Sequence, residues 1–356
     1  MIKIPKITMK RTVSNWPEYK HIKLPYNIFV GKNVLEKVSY ITKEHENKLV
    51  VTGARTSKIA GSKVARILKC DKTISKGTPL DEAERIAREV KKEEIELLVG
   101  VGGGSILDIT KLAAFKANVD YISVPTNCAN DGMASHVVSI KNGGKTALRA
   151  NPPIGVIADT NIIRKSPYQF TSSGFGDAIA KFSAVKDWKL GHVVKGEYFG
   201  DYASSLATMI AKITLKSSLE ISRRTEKGVN ILLEALISSG AAMGIAGSSR
   251  PASGSEHKFS HALDMIAERP AMHGHQCGVG TIVMTYLHGE DWEGIKNALE
   301  IARCPVTAKQ LRIDRDTVID AMIKAKEIRP ERYTILEHLK IDRPTAINAL
   351  ETTGII

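Results

Sequence analysis

Between Ser253 and Gly280 the chain reads Ser253-Gly254-Ser255-Glu256-His257-Lys258-Phe259-Ser260-His261 and, further on, Met272-His273-Gly274-His275-Gln276-Cys277-Gly278. His257 and His261 are four residues apart, so on a helix they share a face. Ser253 with Glu256 has the form of a capping box, which predicts a helix start just past the loop Gly247-Ser248-Ser249-Arg250-Pro251. His273 is expected in a loop, flanked by Gly274. Imidazoles converging from a helix and a nearby loop suit a divalent metal, which needs a few fixed ligands and one open position. Single histidines fall at helical spacing by chance, so the cluster carries this reading and no one ring does.

A second run can do chemistry of a different kind. Ile95-Glu96-Leu97-Leu98-Val99-Gly100-Val101 is too short for a helix and rich in strand formers. It leads into Gly102-Gly103-Gly104-Ser105-Ile106-Leu107-Asp108-Ile109-Thr110-Lys111, whose second half has helical spacing. Strand, glycine turn and helix N-terminus together make an anion site, because the backbone can approach closely and the unpaired N–H groups favour a phosphate. This is neither the GxGxxG fingerprint nor a Walker sequence, and many glycine turns are only turns.

The glycine run through Asp108 and Lys111, followed by Pro125-Thr126-Asn127, resembles the metal-dependent polyol dehydrogenases related to dehydroquinate synthase. Within that superfamily the chain is similar to the sn-glycerol-1-phosphate dehydrogenases. The likeness is carried by Thr126-Asn127-Cys128-Ala129-Asn130-Asp131-Gly132-Met133-Ala134-Ser135, Gly174-Phe175-Gly176-Asp177, the Glu256 to His261 segment and His273 to Gly278. It extends over nearly the whole chain. Each motif alone is weak; the combination is specific.

The resemblance implies a metal set of Asp177, His257 and His273, with zinc as the ion. Asp177 follows Ser173-Gly174-Phe175-Gly176 and is expected at a helix N-terminus, where an aspartate ordinarily only caps. Related iron-dependent alcohol dehydrogenases carry a further histidine four residues on; here that position is Lys181. The implied reaction is NAD(P)H reduction of dihydroxyacetone phosphate to sn-glycerol 1-phosphate, the backbone precursor of archaeal ether lipids. By the same resemblance Asp131, Asp177 and His261 contact the substrate, with His261 or Asp131 orienting it or relaying the proton. Gly104, Ser105, Ile106, Leu107 and Asp108 match the pyrophosphate loop. Thr126, Asn127, Cys128 and Ala129 match a nicotinamide-side segment, and Ser135 is a further cofactor contact. His275 replaces an acidic residue common in glycerol dehydrogenases; it either faces the substrate phosphate or has no role.

The second strand ends Val51-Thr52-Gly53-Ala54-Arg55, without the acid that would grip a ribose 2′-hydroxyl. NADP is therefore expected alongside NAD, although Arg55 is equally read as a solvated surface charge.

These residues need two scaffolds. Strand-like segments at Ile28–Val30, Leu49–Thr52, Leu97–Val101, Tyr121–Val124 and Ile154–Ile157 alternate with helical patterns at Val34–Ile41, Ser57–Leu68, Leu80–Lys91 and Ser105–Lys116. That alternation predicts a parallel sheet covered by helices. Ala134–Ile140 and Lys145–Ala150, around Asn142-Gly143-Gly144, read as a β-hairpin. From about Pro167 onward strand signals nearly vanish, and Asp177–Leu190, Tyr202–Arg223, Val229–Ser238, Trp292–Ala302 and Arg315–Lys326 read as helices. The expected α/β fold is thus a Rossmann-like dinucleotide-binding domain over residues 1–166 and an all-helical metal- and substrate-binding domain over 167–356. The site belongs in the cleft between them, beyond the carboxyl ends of the strands.

Composition narrows the alternatives. A chain of 356 residues, 43% hydrophobic, can bury two cores. No uninterrupted 18-residue apolar run is present, so no membrane span is expected. The first residues lack a continuous apolar core of a secretory signal, and Cys70, Cys128, Cys277 and Cys304 show no paired spacing, which fits reduced thiols and a cytoplasmic protein. Cys128 and Cys277 fall inside the family motifs, where a thiol can serve as metal ligand or nucleophile, but read as small apolar packing residues. The net charge of +13 is spread among acids, with no basic tail or aromatic-interleaved patch, so nucleic acid is not an expected partner. A diffuse positive field suits a phosphate substrate. The resemblance also implies a homo-oligomer. A glycerol dehydrogenase and a dehydroquinate-synthase-like cyclase share the scaffold; the Asn130-Asp131 segment and the basic charge argue against the first, and Asp177 in place of glutamate against the second.

Overall fold

The computed structural model describes residues 19–141 and 145–356. Six strands, β1 (Asn27–Gly31), β2 (Lys48–Gly53), β3 (Asp71–Ser75), β4 (Leu97–Gly102), β5 (Asp120–Pro125) and β8 (Gly155–Asp159), form a parallel sheet in the order β1-β8-β5-β4-β2-β3. Between β5 and β8, an antiparallel pair β6 (Val137–Lys141) and β7 (Lys145–Arg149) stands apart from it, with Val137 opposite Arg149.

Alternation along the strands explains the layering, since successive side chains point to opposite faces. Val50, Leu97, Val99 and Val101 pack with Val38, Val64 and Leu68 on one face. Leu49, Val51 and Leu98 pack on the other with Ile86 and Val90 of helix Pro79–Lys92 and with Ile109 and Leu112 of helix Gly104–Ala117. A central strand such as β4 is therefore buried throughout, as a parallel strand covered on both sides must be.

The five expected strands and the helices between them all form. Strand β3 was not expected. It has one large apolar residue, Ile74, and lies at the sheet edge, where polar side chains are tolerated. The first hairpin strand begins at Val137, because Asp131–Met133 forms a 3-10 turn and Ala134 sits against Gly240. The expected turn residues Asn142, Gly143 and Gly144 lie outside the described residues.

After β8 the described chain is helical. Helix Tyr168–Ile179 packs against helix His273–Leu287, and helix Ser255–Ile266 packs against the latter. Helix Glu226–Ala246 is long and apolar enough by composition to cross a membrane, yet Leu232, Leu233, Leu236 and Met243 are buried inside the protein. It serves as a core helix.

Candidate active site

The glycine turn follows β4, and Gly103 supplies the extended N-cap of helix Gly104–Ala117. No side chain fits there, since a Cβ on Gly103 would come 2.7 Å from Asn127 Nδ2. The helix N-terminus thereby opens onto a cavity of about 380 Å³. Gly104, Ser105, Asp108, Asn130, Asp131 and Ser135 line one side, and His257, His261 and His273 the other.

Lys111 braces the first wall from beneath. Its buried ammonium donates to Asp108 Oδ1 at 3.2 Å and to the carbonyls of Gly132 and Val137 at 2.8 and 2.7 Å. Asp108 Oδ2 also accepts from the Ser139 N–H at 3.2 Å. The remaining expected cofactor residues do not line this cavity. Ile106 fills the space beside Gly53 and Gly102, and Leu107 belongs to the core. The Thr126 N–H donates to the Gly102 carbonyl, Asn127 Oδ1 accepts from the Ala129 N–H, and the Ala129 carbonyl accepts from Ser173 Oγ. Cys128 is fully buried, and burial raises its thiol to about 11.

Three helices bring the opposite wall together. Two expectations about them require correction. Asp177 sits in the last turn of helix Tyr168–Ile179, and His273 opens helix His273–Leu287 in place of standing in a loop. The physical reason lies in the glycines. A Cβ on Gly176 would lie 2.1 Å from the Gly274 carbonyl oxygen, and one on Gly274 would lie 1.8 Å from that of Ser173. The two helices touch backbone to backbone, which carries Asp177 and His273 into one region.

The histidine helix starts at Ser255, with Gly254 as N-cap, so the expected Ser253–Glu256 capping box does not form. Asp187, fully buried on helix Lys181–Lys195, replaces it. Its Oδ2 accepts from the Ser255 N–H and hydroxyl at 2.6 and 2.5 Å, which also places a negative charge at the helix N-terminus. Its Oδ1 accepts from Ile335 N–H and faces His288 Nε2. Glu256 is diverted inward, accepting from the Gly254 N–H and Ser183 Oγ and sitting 2.8 Å from His257 Nδ1.

That contact turns the other nitrogen of His257 toward Asp177, with Nε2 3.8 Å from Asp177 Oδ1. Ser260 Oγ stands 3.0 Å from His273 Nδ1, and the His257 and His273 rings are 4.9 Å apart. His261 stacks beside His273 at 5.9 Å between centroids. Two imidazoles, each held through one nitrogen, and a carboxylate oxygen among them are a donor set suited to a divalent ion. Cys277, expected as a packing residue, offers a further donor atom. Cys277 lies one turn after His273 on the same helix, and the ligand atoms of His257, His273 and Cys277 fall within 4.8 Å of one another. The i, i+4 spacing of His273 and Cys277 was the available signal.

A buried charge cluster links the two walls. Asp177 Oδ2 accepts from the Asp131 N–H at 2.9 Å. Lys181, fully buried, donates to Asp131 Oδ2 at 3.0 Å and Asp177 Oδ1 at 3.2 Å, and Ser239 Oγ donates to Asp131 Oδ2 at 2.6 Å. Burial pushes the Asp131 carboxyl up, but Lys181 and Ser239 outweigh it and hold the group below its ordinary value. Burial and then the Asp131 charge push Asp177 up. Lys181 is raised, because the two carboxylates overcome its burial. Asp177 itself is not at the cavity surface; it contacts two residues that are. His275 does not line the cavity. Its Nε2 lies 2.8 Å from Ser172 Oγ, and burial lowers the ring to about 4. Arg55 is exposed, just past the end of β2.

The sheet, the helical half and the cleft between glycine turn and histidines make up an α/β fold like that of iron-containing alcohol dehydrogenases. A family model described as iron-containing alcohol dehydrogenase matches residues 29–167. A probable glycerol dehydrogenase from Sinorhizobium meliloti superposes with a TM-score of 0.79 at 20% identity, over 94% of this chain and 98% of its own. The glycerol dehydrogenase of Schizosaccharomyces pombe gives 0.76 at 20% identity, over 96% and 94%. At that identity the likeness concerns the fold.

The chain belongs to the glycerol-1-phosphate dehydrogenase (NAD(P)+) family. It is 45% identical to the member from Thermococcus sibiricus over 343 residues, which is 94% of this chain and 98% of that one. The Pyrococcus horikoshii member is 45% identical over 94% and 99%. The member from Methanosphaera stadtmanae is 44% identical over 95% and 99%.

Proposed function

We propose that this protein reduces dihydroxyacetone phosphate to sn-glycerol 1-phosphate with NADH or NADPH, reversibly. Its family membership supports the reaction, and one observation about the site carries the mechanism: an aspartate, Asp131, held ionised beside three clustered histidines on one cavity. In this reading residues 1–166 hold the dinucleotide, with its pyrophosphate over Gly104 and Ser105, and residues 167–356 hold the metal and the substrate. Asp177, His257 and His273 would hold a divalent ion, zinc in this proposal. When bound, the ion supplies a Lewis acid for the carbonyl and its developing negative charge.

The chain's own groups then divide the work. Asp131, kept deprotonated by Lys181 and Ser239, acts as an acceptor and orients a substrate hydroxyl. A bound nicotinamide would supply the hydride, with its two electrons, for C2 of the carbonyl. His261, on the cavity wall beside His273, delivers the proton to the carbonyl oxygen. The neutral residues after β2, with Arg55 exposed beside them, favour acceptance of NADP as well as NAD. The product supplies the backbone of archaeal ether lipids in this proposal, and the enzyme works in the cytoplasm as a homo-oligomer.

The test is dihydroxyacetone-phosphate-dependent oxidation of NADH and NADPH, with chelation and zinc add-back. Product chirality is assigned with an enzyme specific for the 3-phosphate enantiomer. Zinc-restored turnover giving a product invisible to that enzyme is the expected result. Equal turnover of dihydroxyacetone or glycerol would move the protein to glycerol dehydrogenase chemistry.

A further inference from the structure

We propose that Arg329 is the phosphate-binding cation of the substrate pocket, and that the hydroxyls of Ser249 and Ser253 complete the anion subsite. The inference rests on the reading of a phosphorylated substrate and names the residues that select it.

Arg329 lies in the segment between the 3-10 turn Ala325–Glu327 and helix Ile335–His338, far in sequence from every motif. It nonetheless lines the same cavity as His257, His261 and His273. Among the described residues no carboxylate or other acceptor pairs with its guanidinium. Burial lowers its pKa, and the charge of Glu331 opposes this only from beyond ion-pair distance. A cation facing a cavity without a protein partner is an incomplete site, because burial of an uncompensated charge is costly.

The neighbouring groups enlarge the imbalance. Arg332 donates to Ser249 Oγ at 2.7 Å and to the Ser253 carbonyl at 3.2 Å, both neutral acceptors. Burial, followed by the charges of Arg329 and Arg250, lowers Arg332 to about 10. Among the described residues, of the three arginines only Arg250 has a carboxylate partner, Glu197. Arg329 at the wall and Arg332 behind it thus have no carboxylate within ion-pair distance among the described residues, and Glu331 and Glu197 act on them only from farther away. Because Ser249 Oγ accepts from Arg332, its own proton is directed elsewhere, and Ser249 lines the cavity. Ser253 lines it too. A guanidinium fork and two hydroxyls suit a tetrahedral phosphate oxyanion.

The segment is also fixed relative to the chemistry. Lys258, on the histidine helix between His257 and His261, donates to the Arg332 carbonyl at 3.0 Å and to Glu337 at 2.7 Å. The backbone near Arg329 is therefore tied to the helix that presents the imidazoles. A rigid spacing between phosphate grip and reaction centre is what places a short substrate's carbonyl correctly.

The experiment compares Arg329→Gln, Arg329→Lys and Ser249→Ala with the unaltered enzyme, using dihydroxyacetone phosphate and dihydroxyacetone as paired substrates. Arg329→Gln is expected to lower kcat/KM for the phosphate ester about 100-fold, the loss of a charged hydrogen-bond pair, and the unphosphorylated ketone far less. Inorganic phosphate should inhibit the unaltered enzyme competitively against the ester and lose potency in Arg329→Gln. Arg329→Lys should recover part of both effects, and Ser249→Ala should show a smaller loss of the same kind. Retention of the ester-to-ketone preference in Arg329→Gln would overturn the proposal. So would a rise in KM for NADH or NADPH in place of the ester, which would assign Arg329 to the cofactor. An unaltered enzyme with no preference for the ester would instead defeat the functional reading itself. Melting temperatures identify a variant that merely fails to fold.

Discussion

Lys181 reaches across the cleft to Asp131: its fully buried ammonium donates at 3.0 Å to a carboxylate that lines the cavity's opposite wall. The same ammonium holds Asp177, one helical turn before it. One charge therefore stabilises two acids, and Lys181 organises the site. Replacing Lys181 by Met removes that charge and leaves two buried carboxylates facing each other. A loss of about 3–5 kcal/mol in unfolding free energy is expected, read by denaturant titration of the metal-free protein. A loss below about 1 kcal/mol, the range of an exposed pair, would show that the cluster is solvated.

Cys277 and Asp177 compete for one role in the metal site. We assign the third ligand to Asp177, since its carboxylate is anchored by the Asp131 N–H and faces His257 Nε2. Cobalt-substituted protein is then expected to lack a thiolate-to-metal charge-transfer band, and Cys277→Ser to retain the cobalt spectrum. Asp177→Asn should weaken metal binding by at least 10-fold in a chelator competition. A charge-transfer band that disappears in Cys277→Ser would transfer the ligand role to the thiol.

The close contact between Gly274 and Ser173 makes a packing prediction. A methyl group on Gly274 would meet a backbone oxygen at 1.8 Å, so the two helices must separate. Gly274→Ala is expected to destabilise the protein by about 1–3 kcal/mol, an overpacking cost. Because His273 immediately precedes the strained position, metal affinity should fall with stability. Unchanged affinity in a destabilised variant would separate the helix contact from the site.

His136 gives a pH dependence with a defined sign. Burial, then Arg149 and Lys111, lower its ring to about 4 from an ordinary 6.5. Between those values the unfolded chain binds a proton that the folded chain refuses, so this contribution to stability is complete above pH 6.5 and lost as pH falls toward 4. Its full size is about 3 kcal/mol, from roughly 1.4 kcal/mol per unit. His136→Gln should flatten that part of the stability-versus-pH curve. Parallel curves for the two proteins would show that His136 titrates normally in the folded state.

Much of this architecture is legible in the residues. Five of six sheet strands follow from short apolar runs, and the glycine turn and histidine cluster from local spacing, because period, propensity and turn chemistry act over a few residues. Strand β3 escapes because an edge strand with one large apolar residue carries little pattern. The capping box at Ser253 misleads because a local rule competes with a distant acid, and Asp187 wins with a buried carboxylate.

The sequence by itself determined the two kinds of scaffold, the family and the residue types available for hydride transfer. Only the tertiary structure decided that His273 begins a helix, that Lys181 bridges Asp131 and Asp177, and that Cys277 stands among the imidazoles. It alone brought Arg329 to the wall that His257 shares. Those relationships depend on backbone contacts between helices far apart in the chain, as at Gly176 and Gly274, and no local periodicity encodes which surfaces will meet.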